Sequence, residues 1–147
     1  MNNKGQFRMP IGKIVEDTRP SRIPEKKSYS GEYVMLHPVE PENDVDELFR
    51  NSHGNDTKER IWAYLPYGPF ANKPDMLEWL RGCKQSTDMI FFTVTSKELE
   101  QRVGMVSFLD IFPQMRVCQL DNIWYSPLVH FTKVNTEVIY LMLSEVF

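Results

Sequence analysis

Apolar and polar positions along this chain change period several times, and each change marks a predicted element. Tyr33 to Leu36 suits a pleated surface and is closed by Pro38 and Pro41, which predicts a strand. Val45, Leu48 and Phe49 then fall at helical spacing, so Glu42 to about Ser52 reads as a helix whose early acidic residues complement its dipole. Gly54-Asn55-Asp56 breaks it. From Ile61 to Phe70, aromatic residues interleave with Pro66, Gly68 and Pro69, a mixture that predicts a rigid aromatic surface instead of regular structure. Pro74 to about Gly82 carries Met76, Leu77, Trp79 and Leu80 and predicts a second helix, stopped by Gly82. Met89 to Thr95 and Val103 to Ile111 are β-rich runs joined by the charged stretch 96–101, the pattern of a hairpin. Pro113 opens a turn, and Cys118 to Tyr125 is the last predicted strand, ending before Pro127. After a polar loop, Val134, Val138, Leu141 and Met142 mark a final helix with one buried stripe. The order is strand, helix, helix, three strands, helix, with no internal repeat.

Residues 1–30 mix Lys, Arg, Pro and Ser with scattered apolar side chains (Phe7, Ile11, Ile14, Val15, Ile23), too few to build a core. They are expected to form an arm that lies over the domain surface or is mobile. This arm holds seven Lys/Arg against three Asp/Glu, while the rest of the chain holds ten against seventeen. With a net charge of -3 overall there is no clustered basic footprint for nucleic acid or an anionic membrane, and neither is expected as a partner. The 147 residues fit one domain of ordinary globular composition. Cys83 and Cys118 have no CxxC spacing, no signal-peptide pattern opens the chain, and no apolar run reaches membrane-spanning length, which together predict an intracellular, reduced, cytoplasmic setting.

The last predicted strand, loop and helix form the junction most suggestive of chemistry. A helix start carries unpaired N–H groups and a partial positive charge, so it holds a phosphate without a dedicated side chain. Here Ile123-Trp-Tyr-Ser-Pro127 is followed by Thr132-Lys133 and Asn135-Thr136-Glu137. Upstream stand Gly31-Glu-Tyr-Val-Met-Leu-His-Pro-Val39 and Tyr64-Leu-Pro-Tyr-Gly-Pro-Phe70. In this order the three pieces resemble GNAT-superfamily N-acetyltransferases, in the branch similar to ribosomal-protein N-acetyltransferases. The resemblance implies an α+β fold with a mixed, mainly antiparallel sheet flanked by helices. It covers residues 31–147 and lacks the family's C-terminal strands. Because Glu145-Val146-Phe147 ends inside an apolar helical pattern, a truncated chain is expected.

The same resemblance implies that acetyl-CoA lies where the family's fourth and fifth strands splay apart. Its pantetheine arm would add to Leu120–Tyr125, with Ile123, Trp124 and Tyr125 as contacts. Its diphosphate would meet Thr132, Lys133, Asn135 and Thr136; no glycine occurs between Ser126 and Thr136. The residues alone also permit a plain helix start there, with Thr132 as N-cap and Lys133 in solvent. Acetyl transfer to an amine needs a proton acceptor and a donor facing the developing oxyanion. Asp121 and His130 are the candidate bases, and the backbone near Ile123 and Trp124 is the candidate donor. An ordinary Asp titrates near pH 4, so Asp121 would need burial to act well. Trp62, Tyr64, Tyr67 and Phe70 would line the acceptor site, or else plug the core between the two helices. His37, His53, Cys83 and Cys118 have no metal-ligand spacing, and no dinucleotide, nucleotide-triphosphate or hydrolase motif occurs, so no metal is expected. A non-catalytic module that binds a partner or a second copy through the aromatic loop or an open sheet edge is the alternative.

Overall fold

The computed structural model describes residues 12–14 and 16–147; Phe7, Ile11 and Val15, expected in the arm, lie outside the described residues. Five strands, β1 (Tyr29–Ser30), β2 (Val34–Pro38), β3 (Ile90–Ser96), β4 (Gln101–Phe112) and β5 (Val117–Tyr125), form one sheet in the order β1-β2-β3-β4-β5. Every pairing in it is antiparallel. Helices α1 (Pro41–Ser52), α2 (Asp56–Glu59) and α3 (Lys73–Gln85) separate β2 from β3, and α4 (Val134–Val146) follows β5. The α+β architecture and the β3–β4 hairpin are those expected.

Helices cover both sides of the sheet. On one side Val134, Val138 and Met142 of α4 pack onto Val34, Leu36, Phe92, Val94, Val106 and Phe108. On the other, Val45 and Leu48 of α1 and Met76, Leu80 and Cys83 of α3 meet Phe91, Met105 and Trp124. Each large side chain buried this way stabilises the fold by about 1.5–3 kcal/mol relative to exposure. Asp44, expected near the α1 start as a dipole partner, is fully buried. It accepts from Glu40 N–H at 2.8 Å, Thr93 Oγ1 at 2.7 Å and Arg102 Nε at 2.6 Å. His37 Nε2 stands 3.1 Å from the same carboxylate, so α1 is pinned to three strands by one side chain.

Three local expectations need correction. Gly82 does not stop its helix: α3 runs on to Gln85. The glycine is exposed with nothing within 4 Å of where a Cβ would stand, so it costs only the ordinary helix penalty while Cys83 beyond it is buried. The aromatic segment is not wholly irregular, because a 3-10 turn covers Arg60–Tyr64 directly after α2. Asn55 begins that unit, its side chain accepting from Lys58 N–H at 3.0 Å. Thr132 is not the N-cap of α4 either; Lys133 is, without a side-chain cap bond. Residues 17–27 run over the surface, where Ser21 N–H donates to Pro113 O at 3.0 Å and Glu25 N–H to the Glu145 carboxylate at 2.9 Å.

Candidate active site

β5 is an edge strand, hydrogen-bonded to β4 on one side only among the described residues. Its pairing is interrupted: Met105 faces Trp124 but Ser107 faces Asp121, so Asn122 and Ile123 together oppose Val106 in a β-bulge. Asn122 takes φ 52°, a left-handed conformation that Asn adopts more readily than most residues. Its Nδ2 donates to Ser107 Oγ at 2.8 Å, and Ser107 Oγ donates to Asp121 O at 3.2 Å. Gly104 faces Tyr125, and a Cβ there would fall 2.2 Å from Trp124 O, so glycine alone lets the strands close up beside the bulge.

The chain leaves β5 with Ser126 N–H donating to Val103 O at 2.7 Å, and makes one 3-10 turn, Pro127–Val129. It then bends through Phe131 at φ 61° into α4. Thr132 Oγ1 donates to Val129 O at 2.7 Å and accepts from Val134 N–H at 3.3 Å. Lys133 Nζ donates to Tyr33 OH at 2.6 Å, which raises the ammonium's pKa and keeps it charged. The backbone N–H groups of Asn135 and Thr136 have no partner among the described residues, and both residues are exposed. Glu137 faces the other way: its carboxylate accepts from the N–H groups of Glu32, Tyr33 and Val34 at 2.7, 2.7 and 2.8 Å. Burial works against its charge, but the three donors override it and hold its pKa below the usual carboxylate value. A hollow of about 330 Å³ beside this turn is lined by Tyr33, Ser96, Glu98, Thr132, Lys133 and Val134. The Glu98 carboxylate makes the hollow itself a poor phosphate site, leaving the exposed first-turn amides as the better one.

On the opposite side of the sheet, Trp62 joins Trp124 (ring centroids 5.0 Å apart), Phe70 (5.6 Å) and Tyr67 (6.0 Å). Gly68 has φ 69° and lies so close to Trp62 that a Cβ would fall 2.6 Å from its ring. Trp79 of α3 stacks on Tyr67 at 4.5 Å. Of the four expected acceptor residues, Trp62, Tyr67 and Phe70 thus come together, whereas Tyr64 is 98% exposed and pairs with none of these rings. Tyr67 OH, Trp124 Nε1 and Tyr125 OH are buried without a hydrogen-bond partner, an arrangement native proteins seldom leave unexplained. Burial, then Cys83 and the charge of Asp121, push the Tyr67 phenol pKa upward; burial does the same to Tyr125. Both phenols therefore stay protonated and able to donate. Burial pushes the Cys83 thiol up to about 12, which leaves it inert.

Asp121, Ile123, Trp124 and Tyr125 thus share the edge strand, Thr132 and Lys133 close the loop that follows it, and Asn135 and Thr136 lie in the first turn of α4. His130 stands between them, its Nε2 3.0 Å from Tyr125 O, and no described contact joins it to Asp121. Among the described residues no group of three or more His, Cys, Asp or Glu is placed to hold a metal ion. No helix among them is long and apolar enough to cross a membrane. His53 and Trp79, both joined to the aromatic wall, were not among the expected site residues, and neither was Asn122. An Asp-Asn pair inside a β-run, where both types are depleted, was the one available signal for the bulge.

No family model and no curated protein matches the chain. Solved structures do. A GCN5-related N-acetyltransferase from Brucella melitensis is 28% identical over 90% of this chain, with a TM-score of 0.85. A GNAT-family protein from Chromobacterium violaceum is 24% identical over 97% of it, with a TM-score of 0.80. Spermidine N-acetyltransferase from Vibrio cholerae, solved with CoA and spermine, is 16% identical over 80% of the chain, with a TM-score of 0.60. The chain spans 60%, 71% and 65% of these proteins' lengths, respectively. A five-stranded antiparallel sheet, helices on both its faces and this set of structural neighbours together give the chain the fold of the GNAT acetyltransferases.

Proposed function

We propose that the protein is an acetyl-CoA-dependent N-acetyltransferase that modifies a primary amine of a peptide or small molecule. The observation that carries this reading is the junction itself: a strand with a free backbone edge leads, through one 3-10 turn and a bend, into a helix whose Asn135 and Thr136 N–H groups are exposed and without a partner among the described residues. An edge strand accepts an extended amide-bearing chain by main-chain bonds, and a helix start accepts a diphosphate. Lys133 adds a fixed positive charge beside that helix start. Bound acetyl-CoA supplies an activated thioester carbonyl.

The remaining roles belong to this chain's own groups. The aromatic wall takes one flat side of the acceptor, and Asp121, whose charge acts on the Tyr67 phenol, takes its proton directly or through water. Trp124 Nε1 and Tyr67 OH, both buried without protein partners, would donate to a bound polar group that displaces the packing over them. Resemblance to the ribosomal-protein branch favours a peptide amine, and the spermidine enzyme among the structural neighbours favours a small polyamine. Calorimetric titration with acetyl-CoA is expected to give saturable binding, weakened about tenfold in Lys133→Glu, a cost near 1.4 kcal/mol. Absence of binding heat contradicts the reading.

One observation favours a second reading, a non-catalytic module that self-associates. The free edge of β5 adjoins an outer α4 surface where Tyr140 is 68%, Leu143 41% and Phe147 102% exposed. Sizing separates the two: a stable dimer without affinity for acetyl-CoA supports the module.

A further inference from the structure

His53 sits at the end of α1 and is 7% exposed, and both of its ring nitrogens are engaged. Phe70 N–H donates to Nε2 at 2.9 Å, which requires Nε2 to carry no proton. Nδ1 lies 2.8 Å from Ser52 Oγ, and that hydroxyl donates to Leu48 O at 2.7 Å, so Nδ1–H is the donor in the other bond. The hydrogen bonds therefore fix one neutral tautomer. The ring also stacks on Phe49, with centroids 4.2 Å apart and planes at 10°. Its neighbour Ser52 holds the other end of the aromatic segment, because Trp62 Nε1 donates to Ser52 O at 3.1 Å. Trp62 and Phe70, the two ends of the acceptor wall, are thus anchored at adjacent residues.

We propose that His53 is a positioning residue for the acceptor wall, holding Phe70 as a neutral acceptor and releasing it on protonation. A proton on Nε2 would set two donors face to face across a 2.9 Å contact, so the charged ring and the Phe70 bond exclude each other. The charged groups on the surrounding elements are Glu42, Asp44, Asp46, Glu47 and Arg50 on α1, Asp56, Lys58 and Glu59 on α2, and Arg60 on the turn after it; of these, Glu59 is the one whose charge acts on the ring. Lys58 is turned onto Arg50 O at 2.6 Å. Burial lowers the pKa of His53 below the ordinary value, outweighing the Phe49 carbonyl and the Glu59 charge, which both favour the proton. Because the unfolded ring binds a proton more readily, stability contributed here falls as pH drops below about 6.5 and levels off at the lower folded value.

The proposal rests on the acceptor-site reading only for the purpose of the wall, and its test needs no acetyl-CoA, so either can fail alone. Imidazole nitrogen NMR near neutral pH is expected to show His53 Nε2 unprotonated. As pH is lowered, the Phe70 amide is expected to lose exchange protection and tryptophan emission to shift, both with the His53 titration. His53→Gln offers an acceptor and a donor without titrating, so both signals are expected to stay level across the same range. A protonated Nε2 at neutral pH, a Phe70 amide indifferent to His53 protonation, or an unchanged transition in His53→Gln would each overturn the proposal.

Discussion

Phe131 takes a left-handed conformation where the chain turns into α4, and its side chain is fully exposed. That conformation costs a residue with a Cβ about 1–2 kcal/mol, against roughly 0.5–1 kcal/mol of extra unfolded-chain freedom for glycine. Phe131→Gly is therefore expected to leave stability unchanged or to raise it by up to about 1.5 kcal/mol, as read by urea denaturation; a measurable loss contradicts the strain. This bend was not legible in the sequence. No glycine stands at 127–135 to mark it, and the turn lies between Val129 and Val134, both buried in the core under α4. Asn122 was as hard to see, because its bulge depends on the register of β4. Trp62, Tyr67 and Phe70 were legible as a group, since aromatic rings among prolines and glycines have few ways to be satisfied except against one another.

At the level of elements, periodicity located every long helix and strand, and the errors lay at ends and in short pieces. The two-residue β1 and four-residue α2 carry too few positions to show a period. The misread stop in α3 has a direct test: Gly82→Ala removes a mid-helix glycine with open space around it and is expected to stabilise by about 1 kcal/mol. A melting temperature unchanged or lowered would mean the site needs glycine for another reason. The tie between α4 and the start of β2 is set by Glu137, whose carboxylate also fills the space a Cβ on Gly31 would need. Its folded pKa is depressed, so its stabilisation is present above the unfolded value of about 4.3 and is lost as pH falls through the lower folded value. Glu137→Gln is expected to cost about 1–3 kcal/mol at pH 7. Denaturation midpoints of the two proteins are expected to converge in acid; a constant difference down to pH 2 contradicts this assignment.

For the whole molecule, the order of strands follows from short antiparallel connections on one side and a helical excursion on the other, and it leaves β5 at the edge. That placement matters to the strand-loop-helix junction, because the strand leading into it keeps an open backbone edge while Lys133 and Glu137 at the helix start reach Tyr33 and the beginning of β2. Sequence reading reached the junction through residue types, whereas the free amides and the orphaned Trp124 and Tyr67 donors became visible only in three dimensions. The most direct measurement is an amide-resolved NMR titration with acetyl-CoA. Saturable shifts are expected, concentrated at Ile123–Tyr125, Asn135 and Thr136. Shifts confined to other surfaces, or none at millimolar coenzyme, would contradict binding at the junction.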